Sequence, residues 1–123
     1  MLQITPIDPF DAPTFDAWWD AYAAARRADL GEDAVVWSRE ESRAEQQQES
    51  ETTQRQAFIA RRDGDVVGAA SLALFLKDNR RVAAIGVNVP PQHRRTGFGS
   101  ALLAHMEAEA RREVRTTMRA DIF

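Results

Sequence analysis

The sequence predicts a mixed α/β (α+β) domain in which a mainly antiparallel sheet carries helices on both faces. Three observations point there. Asp63-Gly64 separates two strand-like runs, Ala57–Arg62 and Asp65–Lys77, and such a dipeptide is a strong type I′ hairpin signal. Apolar residues recur at helical spacing both before this hairpin, around Phe15–Tyr22, and after it, around Leu102–Ala110. The loop QHRRTGFG follows two hairpins rather than the first strand of a βαβ unit, which favours antiparallel pairing over a doubly wound parallel sheet.

Taken in order, Leu2–Ile7 alternates loosely and reads as a short strand. Pro13 suits the first turn of a helix, after which Phe15, Trp18, Trp19 and Tyr22 fall at i, i+3, i+4 and i+7. That stripe is read as core rather than as an aromatic ligand platform. Ser38 with Glu41 forms a capping box, so a second helix is expected from Arg39 to about Thr53. Its lack of an apolar face makes it a solvated surface or one that meets another body. After the hairpin, Asp78-Asn79 turns the chain into Val82–Val89, and Pro90-Pro91 stops that strand because proline cannot donate to the ladder. A helix from about Gly99 to Glu113 buries Leu102, Leu103, Met106 and Ala110, with His105, Glu109 and Arg112 turned elsewhere. Val114–Ile122 reads as a last strand.

Composition bounds the function. A chain of 123 residues makes one domain, with apolar and charged shares of 44% and 28%, ordinary for a soluble protein. No apolar run approaches the roughly 18 residues that would cross a bilayer, so no membrane partner is expected. The N-terminus lacks the basic-then-apolar pattern of an export signal. Absence of cysteine removes disulfides, thiolate metal sites and a thiol nucleophile, and fits a cytoplasmic protein. Residues 1–56 carry a net charge of −7 and residues 57–123 carry +4, within a total of −3. An acidic front and a basic back suit two different partners, while the overall acidity argues against nucleic acid. His93 and His105 are 12 apart with no carboxylate cluster, so no metal site is expected. No G-x-S-x-G elbow and no G-K-[ST] phosphate loop occurs.

The informative chemistry lies between Val89 and Leu102. Arg94-Arg95-Thr96-Gly97-Phe98-Gly99 is an R-x-x-G-x-G loop that enters a helix N-terminus. The first N–H groups of a helix have no intrahelical acceptor, and the helix dipole is positive there. A pyrophosphate fits that geometry. Gly97 permits φ > 0 where the loop turns, and Gly99 lets backbone approach a phosphate without an intervening Cβ. Spacing alone is unspecific; the Val-x-Val strand end upstream and the amphipathic helix downstream give it weight.

Val87-Asn88-Val89-Pro90 followed by Arg94-Arg95-Thr96-Gly97-Phe98-Gly99-Ser100-Ala101-Leu102-Leu103 resembles the acyl-CoA-binding motif of the GNAT superfamily of N-acyltransferases. Asp63-Gly64-Asp65-Val66-Val67-Gly68 resembles that family's hairpin of second and third strands. The resemblance covers residues 57–123 specifically and residues 1–56 by element order. It implies a single incomplete GNAT-like domain over 1–123, truncated after the fifth strand. Residues 1–56 would supply the first strand and acceptor-side helices, and 57–123 the acetyl-CoA-binding core. By that resemblance the fourth and fifth strands, Val82–Val89 and Val114–Ile122, splay apart and pantetheine lies in the gap. The Val87 amide would then face the acetyl carbonyl and Val89 would pair with pantetheine. Asn88 lies between them, and the amides from Arg95 to Ser100 would hold pyrophosphate. Arg94 and Arg95 would make side-chain contacts to the phosphates, with Arg61, Arg80 and Arg119 nearby.

The implied activity is acetyl transfer from acetyl-CoA to an amine acceptor, the alternative being a non-catalytic acyl-CoA-binding or interaction module. No catalytic residue is assigned. Many relatives carry a glutamate base on the fourth strand, where this chain has Ala83, and a tyrosine acid after the fifth strand, whereas Tyr22 is its single tyrosine. The acidic run Glu40–Glu51 would suit a cationic amine. A second chain, or a further C-terminal segment, is expected to complete the sheet beside Val114–Ile122.

Overall fold

The computed structural model describes residues 2–31 and 36–123. The elements are β1 (Leu2–Pro6), α1 (Ala12–Leu30), α2 (Arg39–Gln47), β2 (Thr53–Arg62), β3 (Asp65–Phe75), β4 (Val82–Asn88), α3 (Phe98–Arg112) and β5 (Thr117–Ile122). Sheet order follows chain order. Strands β1 to β4 pair antiparallel, and β5 pairs parallel with β4 after the α3 crossover. The expected mixed, mainly antiparallel sheet is therefore present.

Two cores lie on opposite faces of the sheet. Leu102, Met106 and Ala110 of α3 pack with Leu72, Leu74, Ala83, Ile85 and Val87, with Leu103 partly buried beside them. On the other face Phe15, Trp18 and Tyr22 of α1 pack with Ala57, Ile59 and Ala69, while Trp19 is only partly buried. The Trp18 indole N–H donates to the Ala70 carbonyl at 3.0 Å, which satisfies a buried donor and fixes α1 over β3. His105, off the buried stripe, packs edge-to-face with Phe58, ring centroids 5.6 Å apart.

The hairpin forms as expected, with Asp63 and Gly64 at φ 52° and 87°. Other boundaries differ for local reasons. Helix α2 ends at Gln47 rather than near Thr53, because Gln48 turns extended and the Ser50 hydroxyl accepts from the Thr52 and Thr53 amides at 3.2 Å each. Strand β2 consequently starts at Thr53, and its polar residues Thr53–Gln56 pair with Leu72–Phe75. Strand β5 starts at Thr117 rather than Val114. Val114 is left-handed (φ 59°), and Arg115 N–H donates back to Ala110 at 3.1 Å, so residues 113–115 close the end of α3.

Gly68 marks the tightest approach of α3 to the sheet. A Cβ there would lie 2.5 Å from Leu102 Cδ1 and 3.3 Å from the Asn88 carbonyl oxygen. Because Leu102 is fully buried, overpacking by Gly68→Ala should cost about 1–3 kcal/mol. Denaturant unfolding checks this. The double variant with Leu102→Ala should show a non-additive cost smaller than the sum of the two.

Candidate functional site

The end of β4 and the start of α3 form one continuous feature. Val87, Asn88 and Val89 are all buried. Asn88 donates its amide to the Ala69 carbonyl at 3.3 Å, while its Oδ1 is buried with no hydrogen-bond donor. After Val89 a short 3-10 turn, Pro91–His93, leads into Arg94. Arg95 at φ 63° and Gly97 at φ 83° are both left-handed, so the loop curls on either side of Thr96. The Thr96 hydroxyl donates to the His93 carbonyl at 2.6 Å and holds that curl.

Gly97 is the N-cap of α3 and offers no side-chain acceptor. The first helical bond runs from Ala101 N–H to the Gly97 carbonyl at 3.0 Å. The amides of Phe98, Gly99 and Ser100 therefore precede the hydrogen-bonded ladder. Arg95, Thr96, Gly97 and Ser100 are exposed. Phe98 is different: its side chain anchors the helix start in the core, with the Arg62 guanidinium 5.8 Å from its ring centroid. Residues Arg95 to Ser100 thus converge on one exposed, electropositive turn.

Arg94 faces the other way. Its Nε donates to the Val89 carbonyl at 2.9 Å, one Nη donates to the Ala25 carbonyl at 3.1 Å, and the other pairs with Asp29. It ties the loop to the last turns of α1. Arg80 sits in the β3–β4 turn, at the opposite end of β4 from the loop. Arg62, which sequence reasoning passed over, stands closer than Arg80, against Phe98.

The expected gap between β4 and β5 is absent. The two strands pair in register from Val82–Thr117 to Val87–Ile122. Pairing continues one step further: Phe123 N–H donates to the Val87 carbonyl at 2.8 Å, and Val89 N–H donates to the Phe123 carbonyl at 2.9 Å. The physical reason is that Val87 and Val89 present unsatisfied backbone groups along an open edge, and the chain's own backbone satisfies them. The Phe123 ring also packs under the Arg26 guanidinium, 4.3 Å from its carbon.

Pleat parity corrects a second expectation. Ala83 is fully buried beneath α3 with Ile85 and Val87, so no side chain at 83 would reach an acceptor. Ala84 and Gly86 face the α1 side and line a cavity of about 250 Å³ there. Ser71 and Asp121 flank Gly86 on either side in the sheet, and both line the same cavity. A Cβ at Gly86 would fall 2.6 Å from the Ser71 hydroxyl oxygen. A glycine inside a strand marks such a close approach, and that signal could have found the cavity floor from sequence. Trp18, Tyr22 and Arg26 of α1 and Glu45 of α2 supply its walls.

The sequence model of the acetyltransferase (GNAT) family matches residues 14–121. No curated protein sequence matches the chain. Among solved structures, a tandem GNAT protein from the clavulanic acid biosynthesis pathway superposes with a TM-score of 0.83 at 30% identity; the match covers 98% of this chain and 36% of that one. The chain thus spans about a third of the length of that protein. The protein yncA of Salmonella typhimurium, solved with its cofactor acetyl-CoA, gives a TM-score of 0.65 at 23% identity over 98% of this chain and 69% of its own. The ribosomal-protein-S18-alanine N-acetyltransferase of Escherichia coli gives 0.67 at 21% identity over 98% and 66%. With its family motif, its fold and its loop geometry in agreement, this chain belongs to the GNAT acetyltransferase family.

Proposed function

We propose that the chain binds acetyl-CoA at the β4–α3 turn and passes the acetyl group to an amine held in the cavity on the α1 face. The observation that carries this reading is the uncapped α3 N-terminus behind the left-handed Arg95 and Gly97. The amides from Arg95 to Ser100 would bind the pyrophosphate, with the helix dipole adding to the attraction. Thr96 would keep the curl in place through His93.

Pantetheine would take the place of Phe123 against the Val87 carbonyl and the Val89 amide, which together offer one acceptor and one donor to an extended partner. The tip of β5 must then open from β4. Once it has, the Val87 amide would donate to the thioester carbonyl as negative charge develops on that oxygen, a large term in acyl transfer. The amine attacks the carbonyl carbon, the C–S bond breaks and the thiol leaves. Ala84 and Gly86 offer no base on β4, so the amine proton would leave through water and backbone carbonyls. That same lack of a carboxylate favours the second reading, a non-catalytic acyl-CoA-binding module.

Strand β5 is an edge of the sheet, largely exposed, with Ile122 among the exposed apolar residues. Further strands, from the same protein or a second chain, would cover it. The tandem arrangement of the 30%-identical structure is compatible with that.

Calorimetric titration with acetyl-CoA, followed by thiol release against an amine panel, tests the proposal. Binding with turnover supports transfer, binding without turnover supports the module, and no binding overturns both. Affinity should fall with added salt, and dephospho-coenzyme A should bind less tightly, because Arg95 adds an exposed cation beside the turn. Equal affinity for the two forms at all salt concentrations would remove the 3′-phosphate contact.

A further inference from the structure

We infer that the acceptor carries a carboxylate beside its amine and that Arg26 receives it; this rests on the transfer reading above. The sequence pointed instead to a cationic acceptor, drawn by Glu40–Glu51. In the fold, most of that run's charge is engaged or turned away. Glu41 caps α2 with Ser38, Glu45 pairs with Arg55 at 3.5 Å, and Glu51 pairs with Lys77 at 3.6 Å. Glu45 is the one carboxylate of that run that lines the cavity, next to Ser42 and Gln46, and Arg55 lies beside it.

Arg26 stands apart from the other arginines near α1: Arg27 also rests on a ring, that of Trp19, but is exposed and outside the cavity. Arg39 pairs with Asp16 and Asp20, and Arg94 has three acceptors. Arg26 has no carboxylate within ion-pair distance among the described residues, and its Nε is buried with no acceptor. Among the described residues its guanidinium rests on ring faces, 4.8 Å from the Tyr22 centroid and 4.3 Å from that of Phe123. Ring faces attract the charge but leave its N–H groups unbonded. Arg26 lines the cavity, so a ligand's carboxylate there would meet a planar donor fork with an unmade bond.

Asp121 also lines the cavity and has no ion pair among the described residues, yet it stands two residues from Phe123 on the tip that pantetheine would displace. With that tip open, the charged walls that stay are Arg26 and the neutralising Arg55–Glu45 pair. Their sum is one positive charge. An amine with a second positive centre would meet repulsion there, whereas an amino acid or an amino-acid-like compound brings the anion that is lacking.

Two measurements test this. Thiol release with the common amino acids is compared with the corresponding amino-acid amides, which keep the amine and cancel the carboxylate charge. At least about a tenfold preference for one or more acids over their amides is expected, as befits a charged hydrogen bond. Arg26→Gln should erase that preference without weakening acetyl-CoA binding, since it only loosens the Phe123 tip that pantetheine displaces, and Arg26→Lys should keep part of it. Amides used as well as acids, or a preference that survives Arg26→Gln, would overturn the inference. The second measurement needs no turnover: the Arg26 Nε–H resonance is followed during titration with sodium acetate and with ethylammonium chloride. A saturable shift with acetate alone supports the inference even if acetyl transfer fails. No shift with acetate, or a shift with ethylammonium, rejects it while leaving coenzyme A binding untouched.

Discussion

Gly99→Ala is expected to leave the protein folded and slightly stabilised while weakening coenzyme A binding about 5- to 150-fold, equivalent to about 1–3 kcal/mol. The two effects separate because the new Cβ meets little in the free protein. It would lie 3.7 Å from Val89 Cγ2, an ordinary contact, and alanine in a helix avoids the backbone entropy glycine loses. A phosphate drawn against the Gly99 amide has no such room. Gly97→Ala is the less clean variant. Its left-handed φ of 83° would add a strain of about 1–2 kcal/mol even though nothing lies within 4 Å of a Cβ there. Thermal melting and calorimetry on both proteins decide the matter. Unchanged coenzyme A affinity in a folded Gly99→Ala protein would remove the phosphate from this turn.

Features set by near neighbours in sequence were readable in advance. The Asp63-Gly64 turn needs only its own two left-handed residues, and the α3 stripe needs only a helical period. Errors came where a distant or competing group decides. The Ser50 hydroxyl turns the chain before a polar, helix-favouring run can continue, and the end of α3 claims residues 113–115 before β5 starts. Ala83 matched the family's base position by counting alone, although strict alternation from the buried Val87 sends it under α3. The closed β4–β5 edge was illegible in principle, because pairing of Phe123 with Val87 and Val89 follows from which partner reaches an open edge first. The left-handed Gly97 was legible, since glycine placement is a local requirement; of the cavity on the α1 face only the Gly86 floor carried a sequence signal, since six elements build the rest.

Arg94→Lys should destabilise the protein by about 1–3 kcal/mol and weaken coenzyme A binding without changing how that binding depends on salt. Beside a glycine loop an arginine reads as an anion contact, and sequence alone suggests nothing else. Its acceptors lie far off in the chain, at Ala25 and Asp29 on α1, with Val89 as the local one. A guanidinium reaches all three through separate N–H groups in a fixed plane, whereas an ammonium concentrates its donors at one point. Lysine would leave at least one carbonyl without its donor, and that lost satisfaction dominates the cost. The Asp29 pair contributes less, because its side chains are 30% and 34% exposed and water screens them. Asp29→Asn should therefore cost under about 1 kcal/mol. Affinity would fall in Arg94→Lys because the turn is no longer held against α1, an indirect effect that releases no counterion. The check is a pair of denaturation curves together with coenzyme A titrations at several salt concentrations. If the charge-removing Arg94→Gln kept full stability and flattened the salt dependence, Arg94 would be a phosphate contact and the tie to α1 incidental.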